Sequence, residues 1–235
     1  MNTNIFDGTQ KLIGKGAQAD VVLYQGYAYK IYRPAYPTEW IAFEKSQQNE
    51  VNKAGLSPVR YYDTEDDHIV KMDYVEGETL ENRANRGDPT CLEILSKAFC
   101  FVHSKDASHI NMPRLSDTAG MALTDSEKAI ALPIVERLQN KLKPCVCHLD
   151  MHFLNIMTQE GNDEYTIIDW INARIAPAVF DYARTYTVFD EFSKEALEAY
   201  KAIVLPKMWE SGISEEDFHD AVKVSKIIRD GEKRQ

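Results

Sequence analysis

His148, Asp150, His152 and Asn155 fall within eight residues of one another, in a run (Cys147 to Met157, CHLDMHFLNIM) whose other members are apolar. Two kinds of chemistry suit such a set. In a strand, residues at i, i+2 and i+4 share a face, so His148, Asp150 and His152 could hold zinc or iron. The further ligands that complete such sites are not nearby. The other chemistry uses oxygen. Asn155 to Thr158 precede a turn, EGND (160–163), and Glu164 to Ile168 lead into Asp169. Paired residues of an antiparallel hairpin have a constant index sum, so a turn centred near Asn162 sets Asn155 roughly opposite Asp169. An amide oxygen and a carboxylate at the open end of a hairpin make a hard-oxygen site suited to Mg²⁺. Asp150, five residues before Asn155, is then left to accept the proton of an attacking hydroxyl.

A second set lies near the N-terminus. IGKGAQADVV contains Gly14-x-Gly16-x-x-Ala19, which fits a dinucleotide fingerprint only if a crossover helix follows. Six residues separate Ala19 from Gly26 and include Val21-Val22, so no such helix fits. The other reading is a glycine-rich hairpin that closes over nucleotide phosphates, with Val21 in its valine place and the next strand carrying Lys30. Flanked by Ala28, Tyr29, Ile31 and Tyr32, Lys30 is a charge in an apolar strand and calls for an anion. The bland alternative is an edge-strand lysine facing water. The sequence contains no GxxxxGK[ST] phosphate loop. His148-x-Asp150-x-x-x-x-Asn155 followed by Asp169, with Gly14, Gly16, Lys30 and a helix before them, is the order of a kinase-type catalytic apparatus.

The elements that must position these groups follow from periodicity. The first third reads as strands: Lys11 to Ile13, then Val21 to Tyr24, a Gln25-Gly26 turn, and Tyr27 to Tyr32. Thr38 is placed to N-cap a helix running to about Ala54, with Gly55 as its stop. PVRYYDT and HIVKMDYV read as two more strands. Beyond EGETLEN the pattern turns helical, with apolar residues at Leu92, Leu95, Ala98, Phe99 and Val102 and a similar stretch from Ala129 to Leu142. Short strands follow near 155–158 and 164–169, and helices from Phe189 onward around Pro206. The expected fold class is α+β, a protein-kinase-like two-lobed fold. It comprises a small β-rich N-lobe (1–75) that binds nucleotide and a larger, mainly helical C-lobe (76–235) with the catalytic loop and metal-binding hairpin.

Composition narrows the partners. A chain of 235 residues, 44% hydrophobic, can bury a sizeable core. A formal net charge of −10 argues against nucleic acid or an anionic membrane as partner, and tolerates a cationic substrate. No 18-residue apolar run and no secretory leader pattern are present, so the expected location is cytoplasmic. Cys91, Cys100, Cys145 and Cys147 include no CxxC and are expected to be buried free thiols.

CHLDMHFLNIM followed by YTIIDW resembles the aminoglycoside phosphotransferase and choline kinase family, whose motif runs H-G-D-L-H-x-x-N and then I-D-W or I-D-F. His152 and Trp170 point to that group rather than to ordinary protein kinases. VFDYART, with Asp181, is similar to the family's F-D-L-A segment, whose aspartate braces the catalytic loop. The resemblance spans about residues 8 to 185. It implies that Lys30 holds the α- and β-phosphates of ATP, paired with an acidic residue of the first helix, either Glu44 or Glu50. Glu44 is favoured because Trp40, Glu44 and Val51 share a helical face. MDYV resembles the hinge, with the Asp73 carbonyl and the Val75 amide on adenine and Met72 walling the pocket. Asp150 is implied as general base, Asn155 and Asp169 as Mg²⁺ ligands, and His148 and His152 as structural. Leu149, Phe153 and Ala19 stand where the family usually has glycine, proline and glycine.

The expected activity is ATP- and Mg²⁺-dependent phosphorylation of a hydroxyl on a small molecule. The rivals are an atypical protein kinase, for which the eleven residues between Asp169 and Asp181 leave little peptide platform, and a non-catalytic nucleotide-binding pseudokinase. Asp190, Glu191, Glu195 and Glu198 are candidates to line a site for a cationic alcohol, or else a solvated helix face.

Overall fold

A glycine-rich hairpin opens the described chain and a stapled helix closes it. The computed structural model describes residues 5–159 and 164–234, and the chain divides into two compact units, Met1–Gly77 and Glu78–Gln235.

The first unit is a five-stranded antiparallel sheet ordered β1-β2-β3-β5-β4 with one helix. Its elements are β1 (Lys11–Lys15), β2 (Ala19–Tyr24), β3 (Tyr27–Tyr32), α1 (Thr38–Lys53), β4 (Tyr61–Tyr62) and β5 (Ile69–Asp73). Gln25 and Gly26, at φ 48° and 79°, make the two-residue turn between β2 and β3, where successive positive φ values match the strand twist. Ala19, Tyr32 and Val70 share the sheet face that packs on Ile41 of α1. The N-cap of α1 is Pro37 rather than Thr38; its fixed φ of −64° sets the entry, and no side chain caps the first turn. At the other end Gly55, at φ 66°, donates to Asn52 O, and Leu56 N–H reaches back to Val51 O. That is a Schellman closure, which needs the left-handed residue that glycine provides. The buried face of α1 carries Ile41, Glu44, Gln48 and Val51. Trp40 is not on it: 37% exposed, it stands edge-on to Phe43.

The second unit begins with β6 (Glu78–Thr79), α2 (Leu80–Asn85), α3 (Cys91–His103), α4 (Leu115–Thr118) and α5 (Asp125–Lys141). Next come β7 (Pro144–Cys147), a 3-10 turn (Phe153–Asn155), β8 (Ile156–Thr158), β9 (Tyr165–Ile167) and β10 (Arg174–Pro177). It ends with α6 (Ala178–Phe192), α7 (Lys194–Ile203), α8 (Leu205–Glu210) and α9 (Glu215–Glu232). The five apolar positions read from the sequence of α3 are all buried. α5 starts earlier than its apolar pattern suggests, because Thr124 and Glu127 form a reciprocal capping box. α6 starts eleven residues before the expected Phe189. Every residue from Val179 to Thr185 is buried, so this helix lacks the one-sided stripe that betrays a surface helix. Of the cysteines, Cys91, Cys145 and Cys147 are buried, whereas Cys100 is exposed. Among the described residues no helix is long and apolar enough to cross a membrane.

Candidate active site

In the first unit one row of cross-strand partners runs Gly14, Val21, Lys30, Val70. Residues directly opposite each other project to the same side, so Lys30 shares its sheet face with Val21 and with the glycine strand. Gly16 N–H donates to Ala19 O at 2.8 Å and closes the hairpin. A Cβ at Gly16 would lie 3.1 Å from that oxygen, so the turn is tight enough to favour glycine. Lys30 Nζ donates to Glu44 Oε1 at 2.7 Å. Glu44 is buried, and it also accepts from Tyr32 OH at 2.7 Å and Tyr61 OH at 3.3 Å. A buried carboxylate needs such donors to offset its lost hydration. Burial, and the Glu44 charge beside it, push the Tyr32 phenol upward, so it stays a donor. Glu50 bonds Lys53 on its own helix. Met72 and Asp73 end β5, paired to Ala28 and Tyr27. The Asp73 side chain accepts from Arg60 N and Tyr62 OH, which pins β5 to the β4 approach. Val75 lies two residues on, without regular structure.

In the second unit the run from His148 to Asn155 leaves β7 as a loop and ends in the 3-10 turn. Leu149 adopts φ 58°, a left-handed conformation that disfavours a side chain and explains the glycine of the related motif. Asp181, wholly buried at the start of α6, holds it there: Oδ2 accepts from His148 N at 3.0 Å and Oδ1 from Leu149 N at 2.8 Å. His103 Nε2 lies 3.0 Å from the same carboxylate, and Thr185 donates to Met151 O at 2.6 Å. His148 is fully buried with Nε2 3.0 Å from Ile168 O, so that nitrogen carries the proton. Burial lowers its pKa and keeps it neutral, with its ring 4.6 Å from Trp170.

Asp150 is the centre of the loop. Asn155 Nδ2 donates to its carbonyl at 2.9 Å and to its Oδ2 at 3.3 Å, while His152 Nε2 lies 3.5 Å from that Oδ2. His152 Nδ1 accepts from Leu154 N, which fixes the ring. Burial on its own would raise the Asp150 pKa; the hydrogen bond and charge of His152, then the charge of Arg184, outweigh it and bring the carboxyl to about 2.

The hairpin register differs by one position from the expected one. The pairs are Ile156 with Ile167, Met157 with Thr166 and Thr158 with Tyr165; the turn at 160–163 lies outside the described residues. Ile168, not Asp169, is therefore opposite Asn155, and its N–H donates to Asn155 O at 3.0 Å. One step normally reverses the face of a strand residue. Asp169 escapes that rule because its φ of 62° takes it out of the pleat. Asp169 directly follows Ile168, the residue bonded to Asn155. Three of the four acidic residues considered for a cationic acceptor are paired with cations, and the fourth, Glu195, is exposed in the first turn of α7. Asp190 pairs with Lys194 and Lys226, Glu191 with Arg229 and Lys233, and Glu198 with Lys201. Their charge is spent within and between helices.

The profile of the phosphotransferase enzyme family (APH) matches residues 9–212. The chain belongs to that family. The enzyme class read from the sequence, a phosphotransferase with an alcohol group as acceptor, is the class of this family. Solved structures agree on the fold of the phosphotransferase, which is protein-kinase-like. An aminoglycoside-3'-phosphotransferase of type VIII is 16% identical, with a TM-score of 0.66 and 93% of each chain covered. APH(3'')-Id from Streptomyces rimosus is 14% identical, at TM-score 0.68, with 93% of this chain and 92% of that one covered. The choline kinase LicA from Streptococcus pneumoniae is 16% identical, at TM-score 0.64, with 95% and 83% covered. No match is found among curated proteins.

Three groups of this phosphotransferase escape a reading of sequence. Tyr32 and Tyr61 complete the shell of Glu44; Tyr32 sits two residues from Lys30, and strand alternation alone puts both on one face. His103 bonds Asp181 across 78 positions of sequence, with no spacing to signal it.

Proposed function

We propose that the protein transfers the γ-phosphoryl group of ATP to a hydroxyl of a small molecule, with Mg²⁺ as cofactor. What carries this reading is Asn155, whose amide nitrogen is committed to Asp150 and whose backbone oxygen is tied to Ile168. That ties a carboxylate, an amide oxygen and Asp169 to the end of one hairpin. The donor set is all oxygen and fits magnesium rather than a soft metal. Asn155 and Asp169 would hold the ion. When bound, it neutralises charge on the phosphate oxygens.

The roles of the side chains follow. Lys30, fixed by Glu44, offers its ammonium to the α- and β-phosphates, and the backbone around Gly14 and Gly16, with Val21, lies along the nucleotide. Met72, Asp73 and Val75 receive adenine. Asp150 accepts a hydrogen bond from the acceptor hydroxyl and orients it. A carboxylate with a pKa near 2 is a weak base toward a free alcohol. It therefore takes the proton late, once bond formation to phosphorus has made the hydroxyl acidic, which suits a loose phosphoryl-transfer transition state. Asp181 and His152 position this group without touching substrate. The acceptor is an amino alcohol or an aminoglycoside, the two substrate classes named in the related structures.

The test is phosphate transfer from ATP to a panel of amino alcohols, aminoglycosides and sugars, with and without Mg²⁺. Asp150→Asn should lower kcat by about 10²–10⁴ while nucleotide binding persists. Normal turnover by that variant would remove Asp150 from the reaction; transfer to none of the panel would remove the acceptor class.

A further inference from the structure

Close to the Asp181 brace lie two buried thiols for which phosphoryl transfer has no use. Cys145 and Cys147 project from the same face of β7, two residues apart, and His103 ends α3 beside them. A ring nitrogen of His103 and the two sulfurs all lie within 4.8 Å of one another. We propose that His103, Cys145 and Cys147 form a buried site for one thiophilic divalent ion, Zn²⁺ in the first place, separate from the oxygen-lined magnesium site.

Three observations support it. The sulfurs are 3.9 Å apart, close to the separation of about 3.8 Å between two thiolates each about 2.3 Å from a tetrahedral zinc. Two sulfurs and an imidazole are the soft donor set that selects zinc over magnesium. The Asp181 carboxylate holds His103 Nε2 at 3.0 Å, so Nδ1 would be the ligand and the carboxylate would fix the ligating ring. The thiols now aim at backbone oxygens: both at Ala176 O, at 3.5 and 3.3 Å, and Cys147 also at Pro177 O. Binding exchanges these weak contacts for metal–sulfur bonds and releases the two thiol protons, so affinity falls with falling pH. The ion would join α3 to β7, one carboxylate away from the His148 and Leu149 amides. Its role is to fasten the root of the catalytic loop.

The site is closed, with Cys147 at 0% and Cys145 at 7% exposure, so the full chain should be loaded during expression or refolding in zinc or cadmium as well as by incubation. Expected are about one equivalent of metal by mass spectrometry, a thiolate-to-cadmium charge-transfer band, and a higher Tm for loaded than for chelated protein. The band should persist in C100S, which alters the exposed thiol, and vanish in C145S/C147S. Zinc-edge X-ray absorption on the unaltered chain gives a reading that needs no variant: two sulfur neighbours are expected. A shell of nitrogen and oxygen alone, a band that survives in C145S/C147S, or no metal retained after refolding in its presence would each overturn the proposal. Phosphate transfer is read separately, so either result can fail alone.

Discussion

At the scale of single residues, the acidity of Asp150 is set by its neighbours more than by its burial. Burial would raise its pKa, and His152 with Arg184 reverses that. Removing His152 should therefore move the carboxyl up, toward or beyond its ordinary 3.8. In the unaltered enzyme kcat/KM should hold level on the acid side until the fold itself fails. In His152→Ala an acid limb should emerge at higher pH, with KM for nucleotide little changed. A pH–rate profile of the two proteins side by side checks this, and superimposable profiles would show that His152 does not tune Asp150. The places of Asp150 and Asn155 in one loop and of Lys30 on a strand were legible in the sequence because they depend on short spacings. Glu44 was legible as one of two candidates on a helix; only the fold pairs it with Lys30 and leaves Glu50 to Lys53. His103 was not legible at all, since nothing periodic links it to a carboxylate on another helix.

At the scale of elements, one helix in each unit carries an acidic residue that holds candidate site groups of that unit. α1 carries Glu44 and stops at Gly55, whose φ is 66° and where an added Cβ would meet nothing within 4 Å. Gly55→Ala therefore isolates the backbone cost, with no steric component, and should lower stability by about 1 kcal/mol. A urea midpoint at constant m reads it; an unchanged midpoint would mean the closure is not held in the left-handed region. α6 carries Asp181, which accepts from two loop amides and from His103. Asp181→Asn leaves one of those amides facing an NH₂ group in the interior, at a cost of about 3 kcal/mol. It should also lower kcat more than it raises KM, because Leu149 loses what keeps it at φ 58°. Wild-type stability in that variant would assign the brace to other contacts. These two helices were unequally legible. α1 was bounded in the sequence by Thr38 and Gly55, within one residue of its observed N-cap Pro37, whereas α6 is buried nearly all round and hides its period. The hairpin was placed but its register was off by one, because index sums fix the pairing only when the turn's centre is known to half a residue.

At the scale of the whole molecule, the family match ends at residue 212 and α9 lies beyond it, yet α9 is stapled into the second unit by charge. Asp217 binds Arg137 and Lys141 of α5; Lys226, Arg229 and Lys233 bind Asp190 and Glu191 of α6; Glu232 binds Arg184. Near its end Gly231 sits so close to Ala122 that an added Cβ would lie 2.6 Å from the carbonyl oxygen. Alanine is the better helix former, so Gly231→Ala would stabilise a free helix, but here the clash should make it destabilising by about 1–3 kcal/mol. The same staples give the molecule an acid edge. Burial would raise the Asp217 pKa, but Lys141, Ser214 and Arg137 hold it at about 2, and Lys194 and Lys226 do the same for Asp190. In the unfolded chain each returns to about 3.8. Between those values the unfolded state binds more protons than the folded one, so stability rises with pH there. The contribution is complete above 3.8, and it is lost as pH falls through that window toward 2. Urea midpoints should thus be level from neutral pH to about 5 and fall steeply below 4. Asp217→Asn, less stable at pH 7, should lose less over the acid window than the unaltered chain. Parallel curves for the two proteins would mean that Asp217 is not what acid protonates when the molecule comes apart.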